Sequence, residues 1–440
     1  MKEYSFSGYF SRLLIIAILY IGLPIIFSVF FDDSTRSSYI GSSLCFLFLT
    51  IVASKLLFED SSYTRFFLVA YIIQIVLGLV HYLTFIDPNY FYGNGNVKMD
   101  FHDEMEQTFM CVQNLVEFKK SNGLFNSDDP SWWVAHKYIW NIISIPLYFT
   151  SVKWMNLGPI STFFLLFGSM NLIVISKYQN YNNDIIKKIK YITAYFPAFI
   201  LNDSFTRDPS GIGLISIGLV LYVLSKNNLQ RIIAVTLAVY FCFVQRTMYP
   251  VAFVAAFGFA YIFNIKNSYG KFFCLAIVLP ITLFLYGNLE SLEGDSYSSG
   301  YLNQASFLFL PIKIVFGFIG PFPWTGFLNH PIFSYQLADH FQGVLQLGML
   351  LCIISNFRVN AFKNNDIVLW FGILLLFSGI LTTYMHISYI AFGVFFILPW
   401  FINNYSKVFD NYIKRSFWIL IGLNIIIIMF GNFGLSSLWR

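Results

Sequence analysis

Apolar runs of about 20 residues recur along the whole chain, and they limit its possible folds more than any other feature. A run of this length crosses the hydrocarbon core of a bilayer as an α-helix, which satisfies all its backbone hydrogen bonds internally. The chain is 57% hydrophobic and 11% charged, whereas a soluble domain carries about 25% charged residues. The short alternating segments of a transmembrane β-barrel are absent. We therefore expect an all-α polytopic integral membrane protein.

The apolar segments predict about 12 to 14 transmembrane helices in a single transmembrane domain, residues 1–440. The predicted spans are 13–31, 39–58, 66–86, 156–176, 190–203, 210–225, 231–246, 247–263, 271–287, 341–356, 366–383, 386–402 and 416–433. Lys and Arg mark the cytoplasmic side of such a protein. On that rule the segments expected to face the cytoplasm are 177–190, 226–231, 264–271, 357–365 and 403–415.

This orientation places two long segments on the outer side, loop A (residues 87–155) and loop B (residues 288–340). The apolar stretch 138–149 inside loop A is short and contains a proline, so we predict an interfacial or re-entrant helix there. A crossing at this point would move the lysine-rich segment 177–190 to the outer side, against the distribution of basic residues. Long ordered loops on one side of a membrane protein usually carry its chemistry.

One arginine and two aspartates lie in the turn between two apolar segments: Asp203, Arg207 and Asp208, followed by Pro-Ser-Gly. A charge close to the headgroup level is costly and usually marks a pocket for a charged ligand. An arginine there can bind a diphosphate with two parallel hydrogen bonds. The alternative is ordinary turn chemistry, in which Asp before Pro breaks the helix and the opposite charges neutralise each other.

Arg246 is the one charged residue between Arg231 and Lys266, and it lies where two predicted spans meet almost without a loop. It either extends its guanidinium to the membrane interface or lines the same pocket as Arg207. In the second case the two arginines form a pair of cations at the outer ends of adjacent helical hairpins.

Loop A contains a cluster of titratable residues: Asp100, His102, Asp103 and Glu104. One of these carboxylates or the imidazole can act as general base on a sugar hydroxyl. A solvated acidic loop is the alternative. The cluster is a poor metal site, because its members lie too close in sequence to converge without further ligands.

Further candidates for substrate binding are Trp324, His330 and His340 in loop B, and His386 at the outer end of two predicted spans. A single histidine is more often structural or exposed than functional. A tryptophan at this depth anchors the helix at the interface more often than it stacks on a sugar ring.

The sequence lacks the motifs that mark several common kinds of functional site. Phosphate-binding glycine loops, dinucleotide-binding glycine patterns and the common hydrolase motifs are absent. The five cysteines are scattered and form no CxxC pair, so we expect neither a cofactor nor a metal centre. The net charge of +5 reflects membrane topology, and we expect no nucleic-acid partner.

Three stretches resemble the bacterial O-antigen polymerases and related polytopic polysaccharide polymerases. They are Tyr195–Asp208 with its aromatic-Pro start and basic-Asp end, Arg246 with the proline-containing apolar run behind it, and Pro311–Trp324 with its Pro-Phe-Pro-Trp end. The resemblance is one of layout and short motifs and covers about residues 87–402. Relatives often carry an arginine ahead of the last outer hairpin, where this chain has Met385-His386.

The resemblance implies a GT-C-like glycosyltransferase of the bacterial inner membrane that joins undecaprenyl-diphosphate-linked oligosaccharide repeat units at the periplasmic face. Arg207 and Arg246 would bind the departing diphosphate, Asp208 would orient Arg207, and Asp103 or His102 would deprotonate the acceptor hydroxyl. Membrane lipid would surround the polyprenyl groove. Whether a chain-length regulator protein also binds is left open by the sequence.

Two other functions fit the residues. The first is a GT-C-type lipid-phosphate-sugar glycosyltransferase that adds one sugar at a time, although the acidic pair Asp32-Asp33 lies in a very short loop. The second is a flippase for lipid-linked sugars, although the predicted spans contain almost no charges to line a central path.

Overall fold

A computed structural model describes the chain over residues 4–31, 34–81, 112–126, 137–150, 154–202, 208–246, 249–265, 269–270, 333–356, 366–382 and 387–430. Every regular element in these ranges is helical. The α-helices are α1 (Phe6–Ser28), α2 (Thr35–Leu57), α3 (Ser61–His81), α4 (Lys137–Phe149), α5 (Leu157–Tyr178), α6 (Asn183–Ala194), α7 (Asp208–Leu224), α8 (Asn228–Gln245), α9 (Tyr249–Asn264), α10 (Phe333–Ser355), α11 (Ile367–Thr382) and α12 (Ile387–Phe430). Residues 112–122 are also helical, and Ala198–Asn202 forms a π-helical turn.

Five of these helices are long and apolar enough to cross a membrane: α1, α2, α3, α5 and α8. This agrees with the predicted all-α membrane class. Large apolar side chains on α1 project outward, as Ile18 (69% exposed) does, which suits a lipid-facing surface. Five shorter apolar helices add to this set within the described ranges. The predicted span 271–287 lies outside the described residues.

Polar side chains at the chain positions just before several helices explain where those helices begin. The hydroxyl of Ser5 accepts a hydrogen bond from the Gly8 amide, and Ser34 does the same for Ser37 at the start of α2. The Asn227 side chain accepts from Gln230 ahead of α8. Each of these caps satisfies one of the amide groups that lack a partner in the first helical turn.

The predicted span 190–203 is wrong as a single helix. α6 ends at Ala194, and a short π-helical turn, Ala198–Asn202, follows Pro197. Proline has no amide hydrogen and its ring clashes with the preceding turn, so it ends the helix. The polar face of α6 carries Lys187 and Lys188, which gives the helix an amphipathic character.

The predicted separation of spans 386–402 and 416–433 is also wrong. α12 continues as one helix of 44 residues through the basic segment 403–415. At 1.5 Å per residue it is roughly 66 Å long, about twice the hydrocarbon thickness of a bilayer. The segment contains neither Gly nor Pro, so nothing in its sequence ends the helix.

The chain is organised in two compact units. The first comprises 1–180, 190–195 and 203–247, and the second comprises 181–189, 196–202 and 248–440. The predicted single transmembrane domain stays a prediction. The last part of loop B, from Phe333, already belongs to α10. α4 lies where an interfacial or re-entrant helix was predicted in loop A, and its position relative to the membrane stays a prediction.

The centre of the first unit is α5, whose residues Leu157 to Ser176 are all buried. A chain of buried hydrogen bonds joins it to two other helices: Tyr9 Oη donates to Asn171 Oδ1 at 2.7 Å, and Asn171 Nδ2 donates to Ser216 Oγ at 2.8 Å. Buried polar groups are costly unless they are hydrogen-bonded, so this chain fixes the register of α1, α5 and α7.

The second unit is held by aromatic packing. Phe199 lies edge-to-face with Phe392, at 5.8 Å between ring centroids, and Phe253 with Phe371 at 5.6 Å. Edge-to-face pairs are favoured by the ring quadrupoles. At its surface, Lys188 Nζ of α6 lies 2.6 Å from Asp410 Oδ2 of α12, an ion pair too exposed to contribute much stability.

Glycines bring α7 and α8 into close contact in the first unit. A Cβ atom at Gly218 would lie 2.5 Å from Ala238 Cα, and one at Gly211 would overlap the side chain of Gln245. Gly211 and Gly218 are seven residues apart, as are Ala238 and Gln245. Two helical turns therefore separate the contacts on both helices, and small residues form a continuous seam between them.

This seam makes a prediction about stability. Gly218→Ala places a methyl group where backbone lies, so we expect a loss of about 1–3 kcal/mol of unfolding free energy, measured as a lower melting temperature in detergent. Gly22→Ala is the matched control, because nothing lies within 4 Å of a Cβ there. We expect no loss for the control. Equal melting temperatures for the two variants would contradict the seam.

Candidate functional site

Asp208 begins α7 and is largely buried, with 8% of the residue exposed. A carboxylate in the first turn of a helix interacts favourably with the positive end of the helix dipole. Pro209 follows it without cost, since amide groups in the first turn have no partner within the helix. The sequence therefore builds a helix start that carries a negative charge inside the first unit.

Arg246 ends α8 and is as buried as Asp208, with 8% exposed. Its backbone is extended (φ −156°, ψ 138°), and its amide donates to the Cys242 carbonyl at 2.9 Å. The helix thus stops at this residue, and the arginine side chain begins where the apolar helix ends. The predicted span end at 246 is confirmed to within one residue.

A buried hydrogen bond connects these two helix ends. Gln245 Nε2 donates to Asp208 Oδ1 at 2.9 Å, and Gln245 is fully buried. Gly211 makes room for this side chain, because any larger residue there would overlap it. The structure therefore brings Asp208 and the residue next to Arg246 together, although 37 positions separate Asp208 and Gln245 in the sequence.

The arrangement places a carboxylate, an amide and a guanidinium at one end of a helix pair in an apolar unit. Charges in such a setting act over a lower effective dielectric constant than in water, so they interact strongly with a charged ligand. The amide of Gln245 fixes the carboxylate in position. Chemically, the site offers the kinds of group that bind a charged ligand.

Loop A has a structured part between residues 112 and 126. Lys119 is 2% exposed, and its Nζ donates to the carbonyls of Leu124 at 2.8 Å and Asn126 at 3.2 Å. Burial lowers the pKa of this lysine. The ammonium thus ties the chain after the helix back onto it, which accounts for Lys119 as a structural residue.

His340 lies in α10 of the second unit and is buried there. Its ring is 5.8 Å from that of Phe417 on α12, in an edge-to-face orientation, beside a cluster formed by Val344, Leu347 and Leu420. These contacts describe a packing role for the ring. A role in substrate binding stays a prediction.

The other predicted site residues lie outside the described part of the chain, so their placement stays a prediction. They are Asp100, His102, Asp103, Glu104, Arg207, Trp324, His330 and His386. Among the residues that are described, no group of three or more His, Cys, Asp or Glu side chains is arranged to hold a metal ion.

The sequence analysis missed Gln245. It lies directly before Arg246 at the end of a mostly apolar stretch of α8, and an amide in that position has to find a partner when it is buried. That reasoning would have marked Gln245 as a residue facing another polar group. It would not have identified Asp208 as the partner, since the pairing depends on how α7 and α8 pack.

Comparisons of the chain with protein-family models, with curated proteins and with solved structures gave no match.

The Asp208–Gln245 bond makes a prediction for Gln245→Met, which keeps the side-chain volume and removes the amide. Asp208 would lose a hydrogen bond in a buried position, so we expect a loss of about 1–3 kcal/mol of unfolding free energy. Thermal unfolding in detergent measures it. Gln230→Met is a control for the substitution itself, because it removes only a solvent-exposed hydrogen bond from the Lys226 amide at the start of α8, and we expect a smaller loss for it. The site would be contradicted if Gln245→Met melted at or above the temperature of the unmodified protein.

Proposed function

We propose that this protein is a polymerase of lipid-linked oligosaccharides, multi-pass in a bacterial inner membrane and GT-C-like in arrangement. It would transfer a growing glycan from undecaprenyl diphosphate to the next lipid-linked repeat unit. The observation that supports this most directly is the buried Asp208–Gln245 pair beside Arg246. Charged groups inside an apolar unit are costly to bury and are usually retained for function.

The proposed reaction breaks one bond and forms one. The bond from the sugar anomeric carbon to the diphosphate oxygen breaks, and that carbon forms a glycosidic bond with a hydroxyl of the acceptor unit. Undecaprenyl diphosphate leaves with the electron pair, and the hydroxyl proton passes to a base, for which Asp103 or His102 is proposed. The largest change of charge occurs on the leaving diphosphate.

Arg246 and Arg207 are the residues proposed to stabilise that leaving group. A guanidinium stays charged at all relevant pH values and binds two phosphate oxygens at once, which a lysine ammonium does not do with the same geometry. Asp208, held by Gln245, would orient the cationic side of the site. The polyprenyl chain of the substrate would lie among the membrane lipids. The scheme requires no metal.

The prediction concerns the lipopolysaccharide of a strain from which the gene is deleted. The strain is complemented with a copy of the gene that encodes Arg246→Ala or Arg246→Lys. A silver-stained gel should show a single band of core plus one repeat unit for Arg246→Ala, because units are made and ligated but not joined. Arg246→Lys should restore at most short chains, since it keeps the charge and loses the two-pronged geometry.

Arg231→Ala is the matched control, as Arg231 lies exposed at the opposite end of α8. We expect a full ladder for it, with equal protein levels on an immunoblot for all variants. A full ladder for Arg246→Ala would reject the site. In the strain without the gene, loss of all repeat units would favour a flippase, and an intact ladder with altered sugars would favour a glycosyltransferase that adds single residues.

A further inference from the structure

Two glutamines of α10 are buried in the second unit without hydrogen bonds. Gln342 and Gln346 are both fully buried, and neither the amide nitrogen nor the carbonyl oxygen of either side chain has a partner among the residues that the structure describes. They are four positions apart, so they lie on the same face of the helix, one turn from each other. Buried amides without partners are rare and call for an explanation.

The surroundings of α10 include the π-helical turn Ala198–Asn202, which packs against it, and α12. Single π-turns in proteins are frequent at functional sites. This turn is followed in sequence by Asp203 and Arg207, the segment that the sequence analysis selected. The unpaired amides therefore lie on α10, the helix that the π-helical turn before Asp203 contacts.

The hydrogen-bonding capacity of the two amides restricts the ligand that fits them. Each amide offers two N–H donors and one carbonyl acceptor, so a suitable ligand must both accept and donate. A phosphate without protons accepts only and would leave both carbonyls unpaired. A metal cation would pair with the carbonyls and leave the N–H groups unpaired. A hydroxyl group does both, and a saccharide presents several hydroxyls at the spacing of neighbouring side chains.

We propose that Gln342 and Gln346 bind hydroxyl groups of a saccharide. This inference rests on the proposed function for the source of the saccharide, which is then the repeat unit carried on the lipid diphosphate. The site recognises the glycan and takes no part in bond breaking. Both side chains are fully buried, so binding requires neighbouring side chains to move apart, and the hydroxyls of the glycan would then pair with the two amides.

The test compares two ligands on the purified full-length protein: lipid-linked oligosaccharide extracted from the cells that make it, and undecaprenyl diphosphate without sugar. Affinity for both is measured by native mass spectrometry, and stability by thermal unfolding. The variant is Gln342→Met with Gln346→Met, which keeps volume and removes both amides. We expect its preference for the sugar-bearing lipid to fall about tenfold or more, with an unchanged or higher melting temperature, since no hydrogen bond of the free protein is lost.

Gln74→Met is the matched control. Gln74 is also a buried glutamine, but its Nε2 donates to the Ala194 carbonyl at 2.7 Å. We expect this control to melt at a lower temperature and to keep its preference for the sugar-bearing lipid.

Two results would overturn the proposal. One is a fall in the melting temperature of the double variant, or of either single variant, as large as that of Gln74→Met. Such a fall would mean that water or protein groups pair these amides in the free protein. The other is an unchanged preference for the sugar. Neither readout requires turnover, so a chain that moves glycans without joining them would still show the preference, and failure of the polymerase proposal would be recognised separately.

Discussion

The hydrogen bond between Gln245 and Asp208 is the interaction on which the candidate site depends. The seam at Gly211 and Gly218 brings α7 and α8 close together, but contacts between apolar side chains are not themselves directional. The hydrogen bond between a buried carboxylate and a buried amide is directional, and leaving either group buried without a hydrogen bond costs free energy. Their bond therefore fixes the helix ends at which Asp208 and Arg246 lie.

The same rule operates elsewhere in the first unit. The Tyr9–Asn171–Ser216 chain connects α1, α5 and α7, and Ser169 shares a hydrogen bond of 2.6 Å with Thr193. These contacts are directional, so they give the apolar helices one defined register instead of several. Gln342 and Gln346 are buried without hydrogen bonds to any described residue, and we propose that a ligand supplies their partners.

The sequence predicted well what depends on composition and local patterns. The all-α class, most helix ends within a few residues and the end of α8 at Arg246 follow from apolar runs and local breakers. The failures at 190–203 and 403–415 have opposite causes. In the first, a proline inside an apolar run ended a helix that hydrophobicity alone extended. In the second, a charged segment without a breaker stayed helical, although its charge marked it as a connection between spans.

The site could be predicted only in part, because its pairing is a property of packing. Asp208 and Arg246 were found from the cost of charge in apolar surroundings. The role of Gln245 depends on a seam of Gly211 and Gly218 that brings α8 within hydrogen-bonding distance of α7. The positions of the glycines in the sequence do not reveal which helix packs against them. The unpaired state of Gln342 and Gln346 likewise becomes visible only when α10 is packed.

The central claim, glycan polymerisation by this chain, is tested most directly in proteoliposomes that contain the purified protein and lipid-linked repeat units as the one substrate. A polymerase converts them into a ladder of longer glycans and releases one undecaprenyl diphosphate for each bond formed. Repeat units that cross the bilayer unchanged, or that remain single while the protein is folded, would contradict it.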